Sequence, residues 1–461
     1  MSLLIKNGRI ITATEDYVAD IYVEDETVTT IGENLSADEN AEVIDASGKF
    51  VFPGFIDPHV HIYLPFMGTY AKDDYASASR AALVGGTTTL IEMCCPGYDE
   101  SPLEALELWK SKAEPLASVD YTFHMGVSKI NDQNESEIRE IVSRGIASLK
   151  VFLAYRGAFA VDDDALYRVL TLAKELGVIV TAHCENATAV ANKQEQLIAE
   201  GKTGPEFHEP SRPESVETAG VVHLTTFAEL TGAHVYVVHT SCTPAVQAAK
   251  AARDRGVNVS IETVIPYLVL DDTYAQKPDF EGAKYVMSPP IRNIRNQQPL
   301  WDAIANRTIS TVATDHAPFD FEDQKRKLGA DAFTAIPNGI PSVEDRINLL
   351  YTYGVTTGKI DLNTFVDCGS TQAAKLFGLY PKKGTIAVGS DADLVIYDPE
   401  YVGQISVETH QMNVDYSGFE GWEIKGRPSI VTVRGQVQTR DGEFVGTPGT
   451  GQFLARKPNH F

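Results

Sequence analysis

Eight apolar runs, each about five to eight residues long, alternate along this chain with longer stretches of helical periodicity, and no other feature constrains its fold as much. In order they are FPGFIDPHVHI, TTTLIEMCC, VDYTFHMGVS, IASLKVFLAY, GVIVTAHCEN, HVYVVHTSC, VNVSIETV and ISTVATDH. The intervening segments DALYRVLTLAKELG (164–177) and TPAVQAAKAARDRG (243–256) carry apolar residues at helical spacing and end at a glycine suited to the position just past a helix. Repeated βα units of this kind predict an α/β fold, a (β/α)8 TIM-type barrel over residues 54–380. A doubly wound sheet is the alternative. The absence of a Gly-x-Gly-x-x-Gly turn after an early strand weakens its nucleotide-binding form.

Both flanks read differently. Residues 3–50 break into short strands at Asn7-Gly8 and Ser47-Gly48, and the same texture returns in GTIAVGSDADLVIYDP (384–399) and SIVTVRGQVQTRDGEFVG (429–446). Neither flank is long enough to bury a core comfortably alone, so the two are expected to pair into one small β-sandwich. The expected division is therefore 1–53 for the first part of the sandwich, 54–380 for the barrel, 381–446 for the second part and 447–461 for a tail.

With 39 Lys+Arg against 63 Asp+Glu, the net charge of −24 argues against nucleic acid as a partner. No apolar run approaches the roughly 20 residues that span a bilayer, so no membrane span is expected. The opening MSLLIKNGRI has too short an apolar stretch for a secretory signal. Cys94, Cys95, Cys184, Cys242 and Cys368 have neither zinc-ribbon spacing nor disulfide-scaffold density, and reduced thiols in the cytoplasm are the expectation.

In such a barrel the active face lies at the C-terminal strand ends. The polar residues there are His59 and His61 on the first run, Lys150 in the fourth, His183 ending the fifth, His239 the sixth and Asp315 the eighth. Two histidines two apart on a strand share a face and can grip one ion. Singly, each histidine also fits an ordinary strand-end role, and Asp315 fits a helix N-cap. Together, imidazoles and a carboxylate suit Zn, Mn, Fe or Co rather than Ca or Mg. Lys150 has two readings: its stem carries the ammonium out to the rim, or burial lowers its pKa and the neutral amine captures carbon dioxide as a carbamate.

The succession HVH, SLKVF, TAHCEN, VVHTSC and ATDHAPF, framed by VIDASGKFVFPGFIDPHVH and GTIAVGSDADLVIYDP, resembles the cyclic amidohydrolases, and within them the D-hydantoinases and dihydropyrimidinases. The likeness extends through GFEGWEIKGRPS to the tail. It implies two divalent metal ions, most simply zinc with manganese or cobalt as alternatives. His59, His61, N-carboxylated Lys150 and Asp315 hold one; His183 and His239, with the same carbamate, hold the other. It further implies Asp315 as proton carrier, Tyr155 as stabiliser of the carbonyl oxygen, Ser288 and Asn338 as ring-binding positions, and Leu64, Phe152 and Phe159 as the wall of a substituent pocket. From the residues alone, Tyr155 fits a wet strand cap, the prolines beside Ser288 and Asn338 fit rigid loops, and the three apolar residues fit plain packing.

The implied reaction is hydrolytic opening of a cyclic ureide, a 5-substituted hydantoin or a dihydropyrimidine, to an N-carbamoyl amino acid. Relatives that grip acidic substrates place an arginine soon after His-x-His, whereas Ile62-Tyr63-Leu64-Pro65-Phe66 follows here, which favours a neutral ring. An allantoinase-like activity and a non-catalytic, dihydropyrimidinase-related scaffold are the alternatives. A homotetramer, with the tail reaching a neighbouring subunit, completes the expectation. His124 and His316 match no ligand position and are expected to be hydrogen-bonded structural groups, with Cys184 as a packed thiol.

Overall fold

The computed structural model describes residues 2–459. Eight parallel strands form one sheet in sequence order: Phe55–Val60, Thr87–Cys94, Asp120–Gly126, Ser148–Phe152, Ile179–His183, Val235–Val237, Val259–Val264 and Thr311–Ala313. All are buried along their length, as strands covered by helices outside and by packed side chains inside must be. Local chemistry places the helices. Asp162 caps helix Asp163–Leu176 by accepting from the Ala165 N–H, and Gly177 ends it with φ +68°, a left-handed conformation that costs glycine nothing.

The first and last strands close the barrel largely through side chains. His61 N–H donates to the His316 carbonyl at 2.7 Å, beside a parallel bridge between Val60 and His316. Lower in the seam, the fully buried Arg346 donates to the Ile56 and Val312 carbonyls, both at 2.9 Å. Thr314 Oγ1 donates to Asp57 at 2.6 Å. Six strands thus pair by backbone with both neighbours, and the seam borrows donors from residues the strands do not contain.

Strands from both flanks form a second sheet of nine, running from Glu443–Phe444 through Glu423–Val433 and Leu394–Gln404 to Phe50–Pro53 and Ser2–Ile11. Its own core contains Leu3, Ile5, Ile21 and Val51 from one flank and Leu394 and Ile396 from the other. Neither flank supplies that core alone. At its junction with the barrel stands Gly54, where a Cβ would fall 2.1 Å from Thr88 Oγ1.

The described part of the tail packs under its own barrel. Tyr121 N–H donates to Gln452 and Leu454 N–H to Tyr121, which seats Leu454 among Ile56, Ile91, Ile179 and Phe377 at the barrel floor. The last two tail residues lie outside the described part.

Candidate metal centre and active site

A single pocket at the C-terminal end of the barrel is lined by His59, His61, Leu64, Lys150, Phe152, Tyr155, Phe159, His183, His239, Ser288, Asp315 and Asn338. Every site residue named from the sequence is therefore brought together, with Phe66, Cys95 and Ala317 added. Asp315 Oδ1 is 3.1 Å from His59 Nε2 and 3.2 Å from His61 Nε2, close enough for the three to ligate one ion. The His239 ring lies 5.3 Å from His59 and 4.6 Å from His183, centre to centre.

The strands are shorter than the apolar runs suggest. His239 and Asp315 each lie two residues beyond the last strand residue, with φ +36° and +52°, and Tyr155 has φ +66°. For side chains other than glycine this region costs about 1–3 kcal/mol each. Three such residues facing one pocket show a backbone bent to aim side chains. Asp315 caps no helix; the next helical segment begins at Phe321.

Lys150 is 0% exposed, and its Nζ has no hydrogen-bond partner among the described residues. Burial lowers its pKa. The stem therefore does not carry the ammonium to the rim. His61 Nδ1 and His239 Nδ1 likewise have no hydrogen-bond partner among the described residues. Buried polar atoms are normally satisfied, so unsatisfied imidazole nitrogens on residues lining one pocket fit the donor set of a metal ion.

Four buried carboxylates aim the ligands, and sequence reading missed them as partners. Glu262 Oε1 lies 2.7 Å from His59 Nδ1 and accepts from the His239 N–H at 2.8 Å, so one side chain orients residues of two strands. Burial pushes its carboxyl up to about 8. Glu185 lies 2.7 Å from His183 Nε2 and accepts from Arg212; burial opposes its ionisation, yet Arg212 and His183 bring it down to about 2. Asp57 accepts from the His59 N–H, and Glu92 from the N–H groups of Ile62 and Tyr63, fixing the His-x-His turn. A charged residue inside VNVSIETV and another two places after His183 were the available signals.

Apolar groups wall the other side. Phe152 and Phe159 pack at 5.3 Å, Phe66 meets Tyr155 at 5.4 Å, and Leu64 joins Ala317 and Phe319. No arginine lines the pocket among the described residues. Asn338 Nδ2 donates to Ser288 Oγ at 3.0 Å. His316 pairs with Asp73 at 2.9 Å, and His124 sits between Ser148 Oγ and the Pro58 carbonyl. All five cysteines are free and buried, and burial raises the Cys184 and Cys242 thiols far from nucleophilic character.

Residues 50–437 match the model of the amidohydrolase family. The chain belongs to the amidohydrolase family. This amidohydrolase is 48% identical over 457 residues to a D-hydantoinase of Geobacillus stearothermophilus, covering 99% of this chain and 97% of that one. It is 38% identical to the dihydropyrimidinase of Rattus norvegicus, with 99% and 89% covered. Among solved structures, a D-hydantoinase (dihydropyrimidinase) from a Thermus species superposes with a TM-score of 0.98 at 63% identity, covering 100% of both chains. The family implies a divalent metal centre, and the His59, His61, Asp315 group fits one. No helix among the described residues is long and apolar enough to cross a membrane.

Proposed function

We propose that this amidohydrolase opens the ring of 5-substituted hydantoins, dihydropyrimidines or both, hydrolysing the cyclic amide to an N-carbamoyl amino acid. The observation that carries the reading is the unpartnered, wholly buried Lys150 amine amid His59, His61, His183, His239 and Asp315. The desolvated neutral amine attacks carbon dioxide, forms an N–C bond and releases a proton, which leaves a carbamate anion. His59, His61, the carbamate and Asp315 would then hold one ion, and His183, His239 and the carbamate the other. Zinc is the first choice for this donor set, with manganese or cobalt as alternatives. When bound, the ions supply Lewis acidity toward the scissile carbonyl and make water nucleophilic near neutral pH.

The chain's own residues do the rest. Asp315 takes the proton from the attacking water and returns it to the departing ring nitrogen. Burial pushes the Tyr155 hydroxyl up to about 12, so it keeps its proton and donates to the carbonyl oxygen as charge develops there. Ser288 and Asn338 hold the ring's polar edge, while Leu64, Phe152 and Phe159 receive the 5-substituent. An arginine-free pocket supports a neutral ring over an acidic one.

Free, buried thiols support the cytoplasm as compartment. A homotetramer and the division at 53, 380 and 446 belong to the same reading; sedimentation of the purified protein tests the first. The function is tested by following ring opening of hydantoin, 5-phenylhydantoin, dihydrouracil and allantoin beside metal analysis. Turnover of the first three with bound metal is expected. Turnover of allantoin alone would make this an allantoinase, and no turnover without stoichiometric metal would make it a scaffold.

A further inference from the structure

Adjacent residues Gln324 and Lys325 lie on the helical turn Phe321–Arg326, outside the pocket lining, and both are buried. Neither touches the metal-centre residues. Lys325 Nζ donates to the Val286 carbonyl at 3.0 Å and to the Pro337 carbonyl at 2.9 Å. Those carbonyls belong to the two loops that carry Ser288 and Asn338, and the Gly339 N–H closes the same junction by donating to Val286 at 2.9 Å. Gln324 points the other way. Its Nε2 donates to Thr69 Oγ1 at 2.6 Å and to the Tyr70 carbonyl at 2.7 Å, while its Oε1 accepts from the Asp320 N–H at 2.7 Å. Thr69–Tyr70 pairs with Pro65–Phe66 in a two-strand hairpin whose start is Leu64, so Gln324 braces the wall that carries Leu64 and Phe66.

Lys325 is 0% exposed, and among the described residues its Nζ bonds to the Val286 and Pro337 carbonyls and to no carboxylate. A wholly buried amine bonded only to backbone carbonyls is a costly strut where any apolar side chain could fill space, whatever its charge. Its specific product is loop position. We propose that Gln324 and Lys325 are positioning residues that divide substrate recognition between them: Lys325 sets the Ser288 and Asn338 loops that meet the ring, and Gln324 sets the hairpin that meets the 5-substituent. This rests on the proposed function for its substrates, though not for its geometry.

The test is a crossed pair of variants, Lys325→Met and Gln324→Ala, in the full-length metallated protein. Gln324→Ala is expected to lower kcat/KM for 5-phenylhydantoin about tenfold more than for unsubstituted hydantoin. Lys325→Met is expected to lower both together, mainly by raising KM. Amide hydrogen exchange, read without any substrate, should quicken at 65–71 in the first variant and at 286–288 and 337–339 in the second. Should Lys325→Met fail to fold, Lys325→Gln, which keeps a donor but is too short to reach both carbonyls, and Thr69→Val, which removes one of the two acceptors of Gln324 Nε2, give the same two readouts. Exchange that quickens uniformly, or in the swapped regions, overturns the proposal. So does an unchanged substrate ratio in Gln324→Ala. Crossed exchange with a wild type inactive on the whole panel would instead sink the proposed function and leave the strut standing.

Discussion

Lys383 at the barrel floor and Lys150 at its top are both buried among ionisable side chains, but only Lys383 is satisfied by them. At the floor, Lys383 Nζ is held by Asp120 at 2.6 Å, Asp393 at 2.7 Å and Asp391 at 2.9 Å, with Arg434 bonded to Asp120 from the other side. The carboxylates of Asp120, Asp391 and Asp393 are themselves close enough to ligate an ion, and the ammonium fills that place. At the top, Lys150 has a ring of histidines and an aspartate around it, with no hydrogen-bond partner among the described residues and the Phe152 ring 4.9 Å from Nζ. The floor is tied further by Arg456, which donates to Thr122 Oγ1 at 3.1 Å and Ser148 Oγ at 2.9 Å. Paired buried charge fixes structure; a buried amine without a hydrogen-bond partner marks where chemistry is left to occur.

That contrast is open to breakage at both ends. The largest effect belongs to Lys150→Ala: metal content and turnover should fall to background while the apo protein folds and melts no lower than apo wild type, because the lost amine had no partner. Short carboxylic acids should restore part of both by standing in for the carbamate. Next comes Tyr155→Phe, which removes a donor aimed at the carbonyl oxygen and should cost roughly 10²–10³ in kcat at unchanged metal content. At the floor, Lys383→Met leaves Asp393 without its cation and Asp120 with Arg434 alone, and should cost roughly 3–5 kcal/mol in denaturant unfolding, with kcat of the folded fraction kept.

The smallest effect sharpens the floor's assignment through pH. Burial disfavours the Lys383 ammonium, but Asp393, Asp120 and Asp391 outweigh it and raise its pKa above the ordinary lysine value. A raised folded value means that the stabilisation is fully present below the unfolded pKa of about 10.4 and is lost as pH rises through the folded value. Wild type should therefore lose more unfolding free energy above pH 10 than Lys383→Met does. Equal losses would remove Lys383 from the account of the floor.

The top of the barrel was far more legible in the sequence than the floor. His59, His61, Lys150 and His183 are polar residues within apolar runs, a local anomaly that any reading along the chain meets. His239 and Asp315 were found by the same rule, although the strands stop two residues before them. Glu262 and Glu185 are charged residues in or beside apolar runs, a signal that names no partner: Glu262 meets His59 across 203 positions, while Glu185 meets the His183 ring two residues away. The floor is hidden for the same reason: Asp120 and Lys383 are 263 apart, and Asp120 lies 332 residues from the Gln452 N–H that it accepts. Local pattern shows what is unusual, while pairing between distant segments is settled only by the fold.

The central claim is that the unpartnered amine of Lys150 becomes a carbamate. Wild type and Lys150→Ala, each incubated with metal and ¹³C-bicarbonate and freed of excess label, would be compared by ¹³C NMR. A protein-bound carbamate carbon in wild type, absent from the variant and lost with the metals on acidification, is the expected result. Fully metallated, active wild type with no bound label would contradict it.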